Sequence, residues 1–240
     1  MPALSVVVPT LDEERSIGAL LTDLRALDVP YEVIVVDGGS SDRTVAVAER
    51  HGARVLRAPR GRGGQLAAGA RAASAGMLCF LHADVRLTAD GCREMADLVR
   101  SAPGGAHAFR FRIGARGWRY RFIEFGARLR VRLFQLPYGD QGLIVSRADY
   151  DAAGGYPNVP LMEDVALIDA LRRITTVRAL WSPLVVSARR WERDGPLVRM
   201  LRNWTLMVAY RAGASPARLA EWYDPRGRAR LPDAARGTSG

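Results

Sequence analysis

Short apolar runs separated by stretches of helical periodicity constrain this chain more than any other feature. Leu4–Thr10 (LSVVVPT), Tyr31–Asp37 (YEVIVVD) and Met77–Leu81 (MLCFL) are near-continuous in apolar residues, and ARVLRAP adds a weaker run between the last two. Continuous rather than alternating apolar residues mark strands covered on both faces. Between the runs, Ile17, Leu20, Leu21, Leu24 and Leu27 recur at helical spacing. Ser41–Gly52 reads as a second helix stopped by its glycine, and QLAAGARAASAG reads as a third, after a loop RGRGG. Thr10-Leu11-Asp12-Glu13 has the pattern of a capping box for the first helix. Strands alternating with helices give an α/β fold, a mostly parallel central sheet flanked by helices. Right-handed crossovers bring the strand C-termini to one edge, where open α/β sheets bind ligands.

That edge receives Pro9 to Glu13, Asp37 to Ser40, and His82 to Asp84. The second half is built differently. HAFRFRIG alternates Phe109, Phe111 and Ile113 against Arg110 and Arg112, as a half-buried antiparallel strand does. Trp118 to Phe134 reads as a helix carrying Arg119, Arg121, Arg128, Arg130 and Arg132. A glycine-rich turn, YGDQG, leads into a strand GLIVS; MEDVALIDALRRI is a helix opening on Glu163-Asp164. VRALWSPLVVSARRW is strand-like, with Pro183 arguing for an edge or a break. PLVRMLRNWTLMVAYRAG is amphipathic, and residues 226–240 have the composition of a disordered tail. The expectation is one domain over 1–225: an α/β half (1–100), a differently built second half (101–191) and a C-terminal helical extension (192–225).

All 35 basic residues are arginine, and the formal charge is +10. Such a chain attracts anions: nucleotide phosphates, nucleic acid or an anionic membrane surface. Nucleic acid is disfavoured, because no aromatic platform is interleaved with the basic residues. Cys79 and Cys92, on an apolar strand and a helix, read as reduced and structural. No run approaches the ~20 apolar residues of a membrane span. The expected location is cytoplasmic, with contact at the inner face of the membrane open. The glycines and lysine of dinucleotide-binding and P-loop motifs are missing.

Four constellations can carry chemistry. His82 and Asp84 project to the same side of a strand and can share one ligand, an oxygen and an imidazole suited to Mn²⁺ or Mg²⁺; alternatively Asp84 caps a turn and His82 is interior. Asp37 can accept from a ribose or base N–H, or simply form an Asp-Gly turn. Arg57, Arg60 and Arg62 beside flexible glycines can hold an anion, or form a solvated basic loop. Glu163-Asp164 can cap a helix, or supply a general base.

Taken in order, SVVVPTLDEE, VIVVDGGSSDRT, GRGGQLAAGA, FLHADVRL, GDQGLIVSR, LMEDVAL and ARRW resemble a family 2 glycosyltransferase of the GT-A (nucleotide-diphospho-sugar transferase) fold. The resemblance spans residues 4–191 and is strongest to small glycosyltransferases of arsenosugar biosynthesis, which are similar to those acting on carotenoid acids. It implies that Pro9, Leu11 and Glu13 line a nucleoside pocket and that Asp37 binds the base or ribose. Arg62, Gln65 and Ala83 would contact the nucleotide. Asp84, with His82, would hold a divalent metal, Mn²⁺ or Mg²⁺, at the D-x-D position. Asp164 would be the catalytic base, beside Glu163. Arg190 and Trp191 would lie near the diphosphate or acceptor. His82 stands where the family has its first acid, which removes a negative charge from the metal site. Ser187 replaces the glutamine of Q-x-x-R-W, and the transmembrane segments of processive members are missing. The implied function is non-processive, inverting transfer from a nucleotide sugar, UDP preferred, to a hydroxyl or carboxyl of a small or lipid-like acceptor. The alternatives are a nucleotidyltransferase, disfavoured by the acidic PTLDEE after the first strand, and a basic anion-binding module.

Overall fold

The computed structural model describes residues 1–223, and Arg190 by its backbone alone; the expected tail lies outside the described residues. The first half contains β1 (Leu4–Thr10), α1 (Ile17–Asp23), β2 (Tyr31–Asp37), α2 (Thr44–Arg50), β3 (Arg54–Arg57), α3 (Arg62–Ala72), β4 (Met77–Phe80), β5 (Val85–Leu87) and α4 (Ala89–Ser101). The second contains β6 (Ala106–Ile113), α5 (Trp118–Phe134), β7 (Leu143–Ser146), α6 (Arg147–Ala152), α7 (Glu163–Ile174), β8 (Val177–Val186), α8 (Arg189–Asp194), α9 (Pro196–Arg211) and α10 (Pro216–Tyr223). Strands from both halves share one sheet in the order β3-β2-β1-β4-β7-β6-β8-β5. β1 pairs in parallel with β2 and β4, and β2 with β3; β7 then runs antiparallel to β4 and to β6.

Both faces of the sheet are covered, as the apolar runs require. Val6 and Val8 pack with Ile17, Leu20 and Leu24 on one side, while Val7, Ile34 and Val36 pack with Leu66 and Ala70 of α3 on the other. α3 approaches closely because its packing residues are small. A Cβ on Gly69 would sit 2.3 Å from Val7 Cγ1, and one on Gly63 would sit 2.3 Å from the Pro157 carbonyl oxygen. Cys79 and Cys92 are buried free thiols. Among the described residues, no helix is long and apolar enough to cross a membrane.

Three local expectations are corrected and a fourth is met. Thr10–Glu13 forms no capping box: Thr10 ends β1, and Ser16 stands at the N-cap of α1 without a side-chain bond. Residues 12–14 are instead bonded across to the loop after β2, and those long-range partners outcompete a local cap. RGRGG is not a flexible loop; α3 starts at Arg62, and Gly63 and Gly64 are helical residues held by close approach rather than freed. β6 is antiparallel to β7 but parallel to β8, and its first half is buried throughout because it lies inside the sheet. Pro183 meets the expectation of an edge or a break: it lies in β8 just before the stretch that β5 pairs with (Leu184–Val186), and a register shift in β6 accompanies it.

Candidate active site

The C-terminal ends of β1, β2 and β4 meet at one rim. Asp12 takes a left-handed conformation (φ 54°) there, and its N–H donates to Ser40 Oγ at 2.9 Å while Ser41 N–H donates to Asp12 Oδ1 at 2.8 Å. Glu13 N–H donates to Thr44 Oγ1 at 2.7 Å. These bonds hold the loop after β1 against the loop after β2. Gln65, buried on α3, ties the rim further: its Nε2 donates to the Val36 and Thr10 carbonyls at 2.7 and 2.9 Å.

Pro9, Leu11, Glu13, Arg62, Gln65, His82, Ala83, Asp84, Asp164 and Trp191 line one cavity of about 420 Å³. They come from segments spread along most of the chain, from Pro9 to Trp191. His82, Ala83 and Asp84 occupy the turn between β4 and β5 rather than a continuing strand. Two expected residues stand behind the wall rather than in it. Asp37 is buried, and its Oδ2 accepts from the Gly39 and Ser40 N–H groups at 3.0 Å each, so in this conformation it shapes the loop. Glu163 is 1% exposed and pairs with the Arg62 guanidinium through Nε. Burial pushes the Glu163 carboxyl above its usual range, Arg62 pulls against that, and Asp164 adds to it. The side chain of Arg190 lies outside the described residues.

Asp164 is oriented by two backbone donors. Gly139 N–H reaches its Oδ2 at 2.7 Å, and Val165 N–H reaches its Oδ1 at 2.9 Å. A carboxylate has about four acceptor sites, so half remain for a ligand. A Cβ on Gly139 would lie 3.0 Å from Asp164 Oδ2 and 3.3 Å from His82 Nε2, so this glycine lets the two side chains approach the same space.

Several cavity residues escape the sequence reading. Asp140 lines the cavity within the same turn, and its buried Oδ1 has no hydrogen-bond partner among the described residues. Burial pushes its carboxyl up to about 6, with Arg130 pulling it down and Asp164 pushing it up. Its signal was an acid between glycines in YGDQG. Arg130 anchors that turn: its guanidinium lies 3.4 Å over the Tyr138 ring and donates to Gln141 Oε1 at 3.0 Å. Trp191 packs against Phe111 (5.9 Å between centroids), with Arg199 5.4 Å above its ring. Arg199, Asn203 and Met207 bring the inner face of α9 into the wall, and Tyr223 closes it from α10. Those contacts depend on where α9 folds back, which no local pattern encodes.

Among the described residues no three metal-binding side chains cluster, so the protein alone forms no closed cage. His82 and Asp84 both line the cavity and are of the donor types that could share a divalent ion with phosphate and water.

Comparison with known proteins bears on the family and the fold. The model of the family described as Glycosyl transferase family 2 matches residues 5–151. An uncharacterised glycosyltransferase of Mycobacterium tuberculosis is 38% identical over 105 residues, covering 43% of this chain and 45% of that one. The 4,4'-diaponeurosporenoate glycosyltransferase of Staphylococcus aureus is 43% identical over 54 residues, 22% of this chain and 14% of that one. The matched stretch thus spans under half the length of either relative. Among solved structures, a Pyrobaculum calidifontis mannosyltransferase in complex with GDP-Man and Mn²⁺ superposes with a TM-score of 0.66 at 18% identity, covering 90% of this chain and 66% of that one. S. aureus TarS in complex with UDP-GlcNAc superposes with a TM-score of 0.60 at 18% identity, covering 78% and 58%. The fold is GT-A, a mixed α/β sheet flanked by helices.

Proposed function

We propose a reaction on the premise that this chain belongs to glycosyl transferase family 2: non-processive, inverting transfer of a sugar from a nucleotide diphosphate to an acceptor hydroxyl. The supporting observation is the single cavity that Asp84, His82, Arg62 and Asp164 line together. A nucleotide-sugar donor lies with its nucleoside toward Pro9, Leu11 and Glu13, and its diphosphate toward Asp84 and Arg62. UDP is the preferred nucleotide; TarS is solved with UDP-GlcNAc, while the mannosyltransferase holds GDP-Man. His82 and Asp84 would hold a divalent ion, which when bound would neutralise charge on the diphosphate.

Transfer forms one bond and breaks one. The acceptor oxygen attacks C1 from the face opposite the diphosphate, and the C1–O bond breaks with its electron pair passing to the phosphate oxygen. Asp164 takes the hydroxyl proton as attack proceeds. Arg62, held on α3 by Glu163, meets the charge growing on the leaving group. Glu163 is therefore a positioning residue. A carboxylate acceptor, such as the diaponeurosporenoate in one relative's name, is already ionised at neutral pH and needs no base. A base at Asp164 thus favours a hydroxyl. The buried free thiols suit a reducing, cytoplasmic setting.

The test is a thermal-shift panel of UDP-glucose, UDP-GlcNAc and GDP-mannose, with and without Mn²⁺, followed by nucleotide release from the stabilising donor. Asp164→Asn is expected to lower release at least ~10²-fold while the donor-induced shift stays within error. A variant releasing nucleotide at the parent rate would remove Asp164 from the mechanism.

A further inference from the structure

α5 buries one side and shows the opposite side to solvent, yet the exposed side is the more apolar in large residues. Ile123, Ala127 and Val131 face the core. Trp118, Phe122, Phe125, Leu129 and Leu133 recur every three or four residues on the outer side, with Phe122 58% and Phe125 59% exposed. α9 repeats the arrangement. Its inner face carries Leu206 and the cavity residues Arg199 and Asn203; its outer face carries Val198, Leu201, Trp204 and Val208, with Trp204 64% exposed. The two helices that carry these ridges pack against each other. Isolated exposed apolar residues need no explanation, but two such ridges on packed helices, with four exposed large aromatics between them, do.

Charge selects the occupant. Arg119, Arg128 and Arg132 are exposed beside the α5 ridge and pair with no acid among the described residues. A second copy docked about a two-fold axis would set arginine against arginine. Anionic headgroups would neutralise them while the rings enter the acyl boundary, the arrangement of helices that lie in a membrane surface.

We propose that the outer faces of α5 and α9 form one docking surface for an anionic bilayer. Through the shared helix α9, docking sets the cavity wall beside the membrane and makes a membrane-resident amphiphile the class of acceptor. That last step rests on the transfer reaction proposed above; the docking does not.

The test is flotation of the full chain with vesicles of equimolar phosphatidylcholine and phosphatidylglycerol, against vesicles of phosphatidylcholine alone. The chain should float with the anionic vesicles and stay behind with the neutral ones. Combining Phe122→Ser, Phe125→Ser and Trp204→Ser should weaken apparent vesicle affinity at least ~100-fold. Arg128→Gln with Arg132→Gln should weaken it about 30-fold, and salt should mimic that pair. The UDP-sugar thermal shift is read in every variant: a shift that persists shows an intact donor site, so a failed flotation then counts against docking alone. A parent chain that stays soluble with anionic vesicles overturns the proposal. So does a parent dimer, by light scattering, that the triple variant converts to monomer without changing flotation.

Discussion

Helix α3 lies on the sheet through glycine and alanine, whereas α5 turns Trp118, Phe122 and Phe125 away from it. α3 can place Arg62 and Gln65 at the rim because its backbone sits in contact with β1 and β2, with Gly69 against Val7. α5 is held from one side by small and medium residues and by Glu124, which accepts the Ile113 N–H at 2.9 Å. The α3 side of the cavity is thus close-packed, with little freedom to adjust, while α5 leaves its large apolar residues exposed. Precision is concentrated where charge must be positioned.

The largest effect that would break this contrast is at the α3 N-terminus. Arg62→Met leaves Glu163 buried without its cation, which should destabilise the fold by about 2–3 kcal/mol near neutral pH, a cost limited by the exposure of Arg62 and by protonation of the acid. The Glu163 carboxyl is already raised by burial, and its folded-state value lies above the unfolded one. The loss should therefore shrink as pH falls and Glu163 protonates. Arg62→Met with Glu163→Gln should recover most of it, by urea unfolding at two pH values. A single variant with parent stability would show that the pair does not hold α3.

Next in size is the packing itself. Gly69→Ala forces a Cβ into Val7 and should lower the melting temperature by about 3–10 °C, more than a helix gains from alanine. Phe125→Ser on α5 should shift it by under ~2 °C, since its side chain is mostly exposed. Equal melting shifts would erase the distinction between the two helices.

The smallest effect sharpens the contrast at the turn after α5. Asp140, with its carboxyl raised to about 6, is favoured in its protonated form by the fold. Its contribution is present below the unfolded value near 4 and is lost as pH rises through about 6. Asp140→Asn should raise the melting temperature by about 2–4 °C at pH 7.5 and leave it unchanged at pH 4. Impaired nucleotide release in the same variant would identify a group kept for the ligand at the expense of stability. A pH-independent shift would mean that Asp140 does not titrate in this range.

The parts of the fold legible in sequence are those set by local periodicity. β1, β2, α5 and α7 lie where apolar spacing puts them, α5 at the expected bounds Trp118–Phe134. The capping box failed because Asp12, Glu13 and Glu14 bond to residues 28 to 31 positions away. The reversed strands β5 and β7 were equally hidden, since apolar spacing reports burial and not direction. At the site, motif order identified ten residues of the cavity wall. It did not separate Asp164, in the wall, from Glu163, behind it, because a helix turns neighbours to different sides.

By itself, then, the amino-acid order determined an α/β sheet buried on both faces and the edge to which its strands deliver acids. Tertiary structure alone decided which of those acids share a cavity: Arg62 meets Glu163 across 101 positions, and α9 folds back to bring Arg199 beside Trp191. The physical reason is range. Burial periodicity is written every two to four residues, whereas convergence at a site depends on packing between segments that have no local sign of each other.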